Sequence, residues 1–318
     1  MKRIAMVTGG CGFLGQHVVR RLLAEGTEVT VLDRRAHGPV FDLPEEVGVI
    51  YEDVVHWLDA NTRWTEIWHL ACPASPIEYR RDPIGTLRTC AEGTRAVLDV
   101  AEHSGARVLI ASSSEVYGDP FRSPQDESFR GWVDCTGPRS MYDEGKRYAE
   151  ALAVAYHRLD VDVRIARIFN TYGPGMRLDD GRMIPEFLLG AIRTGALRVH
   201  GDGQQSRSLC YVDDLVDGLF ALMRAAPQPE LVARPINLGD TDERSVLDWA
   251  RFVARMATDR GLPCRVEVIP QPDPHDPRRR RPDLRRAQTY LGYAPKVPAS
   301  AGLARTFDDV QARLAAGT

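Results

Sequence analysis

The sequence predicts an α/β protein in which a doubly wound parallel sheet fills the front of the chain and a smaller lobe follows it. Three observations carry this. Short apolar runs alternate with helical patterns from Ile4 to Ile168. The first run opens into Gly9-Gly10-Cys11-Gly12-Phe13-Leu14-Gly15, and the second ends in Asp33. Beyond Asn170 the alternation gives way to short elements rich in glycine and proline.

Ile4 to Val7 reads as a buried strand, followed by a helix to about Ala24 and a second strand from Glu28 to Leu32. Gly9, Gly12 and Gly15 suit a tight turn, close approach of backbone to a pyrophosphate and close helix–strand packing. The helix N-terminus, at Phe13 and Leu14, would then face the phosphates. Asp33, 18 residues beyond Gly15, can accept from both ribose hydroxyls of NAD. Arg34 and Arg35 could instead hold a 2′-phosphate, but the Asp33 carboxylate would repel it at contact distance. NAD is therefore the expected cofactor.

Val47 to Tyr51 reads as a third strand, with Asp53 and Val54 after it where an adenine could be held. Ile67 to Ala71 is the fourth, ending in Leu70 and Ala71 at the cofactor side. Pro73-Ala74-Ser75-Pro76 breaks the chain. A helix from about Pro83 to His103 follows, with Leu87, Ala91, Thr94, Leu98 and Ala101 at helical spacing. Strand five is Arg107 to Ala111. The long stretch from Gly118 to Pro138 reads as a functional loop. A helix from Tyr142 to about His157 and a strand from Val161 to Ile168 complete the alternation. The chain should return to the sheet near Tyr211 to Asn237, since Pro235 to Leu238 resembles another buried strand. The expected division is a dinucleotide-binding domain at 1–171, with a return segment at about 209–240. The second lobe takes 172–208 and 241–318, and the substrate cleft lies between them.

The chemistry concentrates in two stretches. Tyr142 and Lys146 stand four apart, on one face of a helix. An ammonium beside a phenol should lower the phenol's pKa, so that Tyr142 can take a proton from an alcohol while a nicotinamide takes the hydride. Ser112-Ser113-Ser114-Glu115 ends the fifth strand, where a parallel sheet presents its chemistry. His69 and His200 read as structural, since the tyrosine already supplies the base.

Composition narrows the partners. The formal net charge of -3 over 318 residues gives no reason to expect nucleic acid or an anionic membrane. The four arginines from Arg278 to Arg281 have no interleaved aromatics, which argues against a nucleic-acid patch. Six scattered cysteines with no CxxC point to a reducing compartment and away from zinc, so no metal is expected. The N-terminal apolar run is too short for a signal peptide or a span, and the expected location is cytoplasmic.

These residues resemble the extended short-chain dehydrogenase/reductases, which carry a Rossmann domain, and among them the UDP-glucuronate decarboxylases. The likeness is densest in His69 to Pro76, Ala111 to Pro120, Gly137 to Arg147, Ala166 to Gly173 and Arg280 to Asp283. The stretch from Arg34 to Asp53 is shorter than the family pattern. In this family a 4,6-dehydratase carries an Asp-Glu pair where this chain has Ser114-Glu115, and a 4-epimerase usually lacks the glutamate. The resemblance therefore implies NAD-dependent decarboxylation of UDP-glucuronate to UDP-xylose. C4 would be oxidised by Tyr142 with Lys146 and Ser113, carbon dioxide lost from the 4-keto acid, and the ketone reduced again. A UDP-glucuronate 4-epimerase, a decarboxylase of the TDP sugar and a non-catalytic NAD-binding regulator are the rival readings. The resemblance also implies that Glu115 and Arg280 act at the carboxylate and C5 end. Arg207 would pair with the diphosphate, and Pro73, Ser75, Tyr79, Ser114, Asn170, Arg182 and Tyr211 are further substrate-lobe candidates. A homodimer is implied, built from the helices Pro83–His103 and Tyr142–His157 of each chain.

Overall fold

Strand order places the main crevice before any side chain is considered. The computed structural model describes residues 2–34, 43–59, 61–179, 181–270 and 277–317; Arg35 lies outside them. The first half runs β1 (Ile4–Thr8), α1 (Phe13–Ala24), β2 (Glu28–Leu32), β3 (Gly48–Ile50) and β4 (Glu66–His69). It continues through α2 (Pro76–Arg81), α3 (Pro83–Arg88), a π turn (Thr89–Gly93), α4 (Thr94–Ser104), β5 (Arg107–Ser113), a 3-10 turn (Ser114–Tyr117), α5 (Ser140–His157) and β6 (Val163–Ile168). The second half holds β7 (Thr171–Tyr172), α6 (Met183–Arg193), β8 (Ala196–His200), β9 (Ser206–Ser208), β10 (Cys210–Tyr211), α7 (Val212–Arg224) and β11 (Pro235–Leu238). It ends with β12 (Glu243–Ser245), α8 (Val246–Asp259), β13 (Arg265–Ile269), β14 (Arg279–Arg280), α9 (Arg285–Leu291) and α10 (Ala299–Ala316).

Seven strands form one sheet in the order β11-β6-β5-β4-β1-β2-β3, with every pairing parallel. From β1 the chain winds outward through β2 and β3, then crosses to β4 and winds the other way. The reversal between β1 and β4 leaves a crevice at the carboxyl ends of the strands, the place where such sheets bind ligands. The strands are buried on both faces. Ala5, Val7 and Leu109 pack into one apolar core, and Met6, Val108 and Ile110 into the other, as a period of two requires.

Three small sheets flank the large one. β8 pairs with β13, β10 with β7, and β9 lies between β12 and β14. β14 runs parallel to β9 with Arg280 opposite Arg207, so both arginines share one face of that sheet. The loop from Gly118 to Pro138 is pinned to the same segment: the Gln125 amide donates to the Arg281 carbonyl at 2.8 Å, and the Gln125 carbonyl accepts from the Asp283 amide at 2.8 Å.

Two local expectations need correction. The proline-rich break contains a helix, because Ser75 caps α2 by accepting the Glu78 amide at 3.2 Å and Pro76 occupies the first turn, where its missing N–H costs nothing. The helix expected over Pro83–His103 is interrupted by the π turn at Thr89–Gly93. Gly93 there lies so close to Val54 that a Cβ would come within 2.8 Å of that side chain.

The glycine loop is sterically closed. Gly9 has φ +71°, and a Cβ on Gly15 would stand 2.2 Å from the Gly9 carbonyl oxygen and 2.6 Å from Gly10 Cα. Those neighbours are backbone and cannot swing aside. Gly15→Ala should therefore cost about 1–3 kcal/mol, read as a lower urea midpoint at unchanged m. An unchanged midpoint would show that the loop can open without penalty.

Candidate active site

A continuous cleft of about 1890 Å³ runs across the carboxyl ends of the strands and into the smaller sheets. Drug-sized ligands occupy pockets of roughly 300–1,000 Å³, so this volume has room for two ligands side by side. Gly9, Gly12, Phe13, Leu14, Gly15, Asp33, Asp53, Val54, Leu70 and Ala71 line one end. Pro73, Ser75, Tyr79, Ser113, Ser114, Glu115, Tyr142, Lys146, Asn170, Arg182, Arg207 and Arg280 line the rest. Tyr211 does not reach it. Its ring is buried against Tyr172, with centroids 5.7 Å apart, and under the Arg305 guanidinium.

The cofactor end has the donors that a dinucleotide needs. Gly12 caps α1 in extended conformation with no side-chain cap, and no acidic residue sits in the first turn. The helix therefore presents backbone N–H groups and the positive end of its dipole to the cleft. A Cβ at Gly12 would approach only the Gly9 carbonyl, at 3.1 Å, so the surface there is bare enough for a phosphate to approach. Asp33, at the end of β2, accepts the Cys11 amide at 3.0 Å, which fixes its carboxylate at the cofactor end of the cleft. Arg34 lines the same end and pairs with Asp53, 3.7 Å away. These features fit NAD.

The catalytic end is built from local turns that aim side chains inward. Ser113 caps the 3-10 turn by accepting the Glu115 amide at 3.2 Å, which turns Glu115 into the cleft. One face of α5 buries Tyr142, Gly145, Lys146, Ala149 and Ala153. Lys146 Nζ donates to the Ala111 carbonyl at 2.8 Å, tying the helix to the end of β5, and lies 5.8 Å from the centre of the Tyr142 ring. Ser113 hydrogen-bonds the Tyr142 phenol. Tyr79 stacks on Tyr142 with centroids 5.2 Å apart, and its hydroxyl is buried without a hydrogen-bond partner. Asn170 Oδ1 is likewise buried without one. Two such orphaned polar atoms in one cleft suit a ligand rich in hydroxyl groups.

Electrostatics corrects the expected phenol. Burial pushes Tyr142 above its ordinary range, against the Lys146 ammonium, with Cys72 and Glu115 adding to the rise and the Ser113 bond opposing it. Lys146 itself is held charged: burial lowers its pKa, but Cys72 and Tyr142 raise it more. His69 accords with a structural reading. Burial holds its ring neutral, with a pKa lowered to about 3, between the hydroxyls of Thr8 and Thr94 at 2.8 and 3.1 Å. His200 is exposed at the cleft wall.

Glu115 is buried between two guanidinium groups. Arg280 Nη2 lies 2.7 Å from one of its oxygens, and Arg139 Nη2 lies 2.8 Å from the same oxygen. Of the four consecutive arginines, Arg280 turns inward, whereas Arg279 and Arg281 face Glu243 at 3.2 and 3.8 Å. Arg207 is buried on β9 and donates to the Ser206 carbonyl at 2.7 Å. Arg139 and its neighbour Asp143 escape a reading of the sequence alone. Each belongs to a helix start that looks like any solvated first turn, and only the fold brings both against Glu115.

A model of the NAD dependent epimerase/dehydratase family matches residues 5–239. The chain belongs to this family. Within it, the sequence is 42% identical over 311 residues to UDP-glucuronic acid decarboxylase 1 of Danio rerio, covering 96% of this chain and 72% of that one. It is 43% identical over 317 residues to UDP-glucuronic acid decarboxylase 6 of Arabidopsis thaliana, covering 97% and 89%. The structure is similar to that of an epimerase from Methanothermobacter thermautotrophicus, with a TM-score of 0.88 and 26% identity over 99% of this chain and 94% of that one. This epimerase/dehydratase chain is thus an extended short-chain dehydrogenase/reductase, and NAD is its cofactor.

Burial pushes the Asp143 carboxyl up to about 7, Glu115 adding to the rise and Arg139 opposing it. Its ordinary value is 3.8. Between these values the unfolded chain gives up its proton before the folded one does, so rising pH favours unfolding, and above about 7 the penalty is complete. Asp143→Asn removes the ionisation. Its Tm relative to the parent should therefore be higher near pH 8 than near pH 5, by at least about 2 °C. A difference independent of pH would mean that Asp143 titrates normally.

Proposed function

We propose that this family member converts UDP-glucuronate to UDP-xylose and carbon dioxide. The observation that carries the reading is Glu115 held between Arg139 and Arg280, beside the Tyr142–Lys146 pair. Arg139 and Arg280 put two guanidinium groups on the cleft wall. A hexuronate carboxylate is what such a site would receive. The name shared by the relatives supports the same substrate.

The residues divide the work as follows. Tyr142 accepts the proton of the sugar 4-hydroxyl, with Ser113 bonding the same oxygen. Lys146 holds the phenolate's charge from the other side. The glycine loop and Asp33 would hold NAD, which would supply the hydride acceptor for C4 and a positive charge on the side of the phenolate that burial disfavours. The C4 ketone stands next to the carbon that carries the carboxylate. The pair of electrons freed as carbon dioxide leaves passes into that ketone as an enolate, which the protonated Tyr142 can stabilise by a hydrogen bond. A proton then returns to C5 from the side of Glu115 and Arg280. Arg207, on the face shared with Arg280, meets the diphosphate. Asn170, Tyr79, Ser75, Ser114, Pro73 and Arg182 shape the sugar and nucleotide walls. Arg139 joins them as the second partner of Glu115.

Proton NMR of the purified protein with UDP-glucuronate should show two new C5 protons and loss of the carboxylate carbon. Tyr142→Phe should slow this by at least about a hundredfold. A hexuronate changed only in its H4 coupling would overturn the decarboxylase in favour of the 4-epimerase.

We also propose that the molecule divides functionally as the sequence suggested. Residues 1–171 and about 209–240 hold the cofactor, and 172–208 with 241–318 hold the nucleotide sugar; the membership of β11 in the large sheet supports this. A reducing, cytoplasmic setting is supported by six free cysteines, two of them with sulfurs 3.4 Å apart. Among the described residues no helix is long and apolar enough to cross a membrane. A homodimer through the Pro83–His103 segment (α3 to α4) and α5 is supported by exposed Ile84 and Leu87 on the first, and Tyr148 and Val154 on the second. Light scattering should give twice the chain mass, and the double variant Ile84→Glu/Leu87→Glu should give the monomer. A monomeric parent would end that reading.

A further inference from the structure

One pair of reactive groups at the cleft has no part in this chemistry. Cys72 follows β4, lines the cleft and is half-buried. Cys90 sits behind it on the π turn, 2% exposed. Their sulfurs are 3.4 Å apart and unbonded. The π turn matters here, because it brings Cys90 against α5 at the one helical position without a side chain: a Cβ on Gly145 would lie 3.0 Å from the Cys90 sulfur. Lys146, the next residue, lines the same cleft as Cys72 and sets its ammonium near that sulfur.

The charges favour reaction at one sulfur. The hydrogen bond from Cys90 draws the Cys72 thiol below its ordinary range, burial opposing it and the Lys146 ammonium adding to the fall. The same bond, with burial, pushes Cys90 up. Two sulfurs in hydrogen-bond contact beside an ammonium favour a thiolate at Cys72, the arrangement in which a peroxide-reactive cysteine has its resolving partner in place.

We propose that Cys72 and Cys90 are a redox-reactive dithiol that closes to a disulfide on meeting a peroxide, and that closure slows turnover by disturbing Lys146. The Cys72 thiolate attacks one peroxide oxygen, the O–O bond breaks, and the departing hydroxide takes a proton to leave as water. The Cys90 sulfur then attacks the resulting sulfenic acid, the S–O bond breaks, and the Cys90 proton leaves with the hydroxide as a second water. Two thiols lose two electrons and the peroxide gains them. The sulfurs must close from 3.4 Å to about 2.05 Å. That draws the π turn toward the Cys72 turn and replaces the anion beside Lys146 with a neutral sulfur.

Hydrogen peroxide treatment of the purified protein, followed by thiol blocking and non-reducing peptide mapping, tests this without any substrate. A linked Cys72–Cys90 peptide, two hydrogen masses lighter and restored by dithiothreitol, is expected before the exposed Cys135 is oxidised. Cys90→Ser should leave Cys72 as a sulfenic acid that dimedone traps. Should that variant fail to fold, the map of the parent chain decides alone. Both cysteines still alkylated after Cys135 has reacted would overturn the dithiol. A formed disulfide with unchanged turnover of UDP-glucuronate would overturn its link to Lys146. Absence of turnover before oxidation would count against the proposed function, and the peptide map alone would then decide the dithiol.

Discussion

The burial of one carboxylate organises the site. Glu115 comes from a turn after β5, Arg139 from the start of α5, and Arg280 from β14 on a separate small sheet. A carboxylate taken out of water costs several kcal/mol unless it is paired and hydrogen-bonded. The buried Glu115 side chain therefore finds its ion-pair partners only where these three segments meet. The loop from Gly118 to Pro138, the β9–β14 pairing and the Gln125 contacts all hold Arg280 in that position. Removing Arg280 would leave the buried carboxylate with one guanidinium in place of two, and β14 would lose its ion pair to the turn after β5.

A second buried network fixes the strand end on which Glu115 sits. Ser112 donates to Glu150 at 2.5 Å, and Arg167 on β6 meets both Glu150 oxygens at 2.8 and 2.7 Å. Arg167 also donates to the Tyr117 hydroxyl, which in turn donates to Asn237 on β11 at 2.7 Å. The network crosses from α5 through three strands directly beneath the catalytic turn. Its members are side chains whose rotamers are set by fully used hydrogen bonds, so Ser113 and Glu115 stand on a rigid floor.

What was legible in the sequence followed from short-range physics. The glycine loop, the terminal Asp33, and the Tyr142–Lys146 pair are fixed by spacing along a strand, turn or helix, so position in the chain implies position in space. Arg280 among four arginines was legible only through resemblance, since alternation along a strand of two residues gives no phase by itself. Arg139 and Asp143 were not legible, because their burial comes from residues more than twenty and more than a hundred positions away. Tyr211 misled for the converse reason. It opens α7 beside a site strand, but Gly302 presses against its ring and keeps it in the core, where a Cβ would come within 2.7 Å.

Burial and charge act on the Tyr142 phenol in opposite directions. Spacing alone suggests that Lys146 lowers the phenol's pKa, and it does push in that direction, but burial pushes harder. Burial is also what excludes water from the 4-keto acid and strengthens every charge around it. Burial and the Lys146 ammonium thus pull the Tyr142 phenol in opposite directions, and a positive charge brought into the cleft would act on the side of the ammonium.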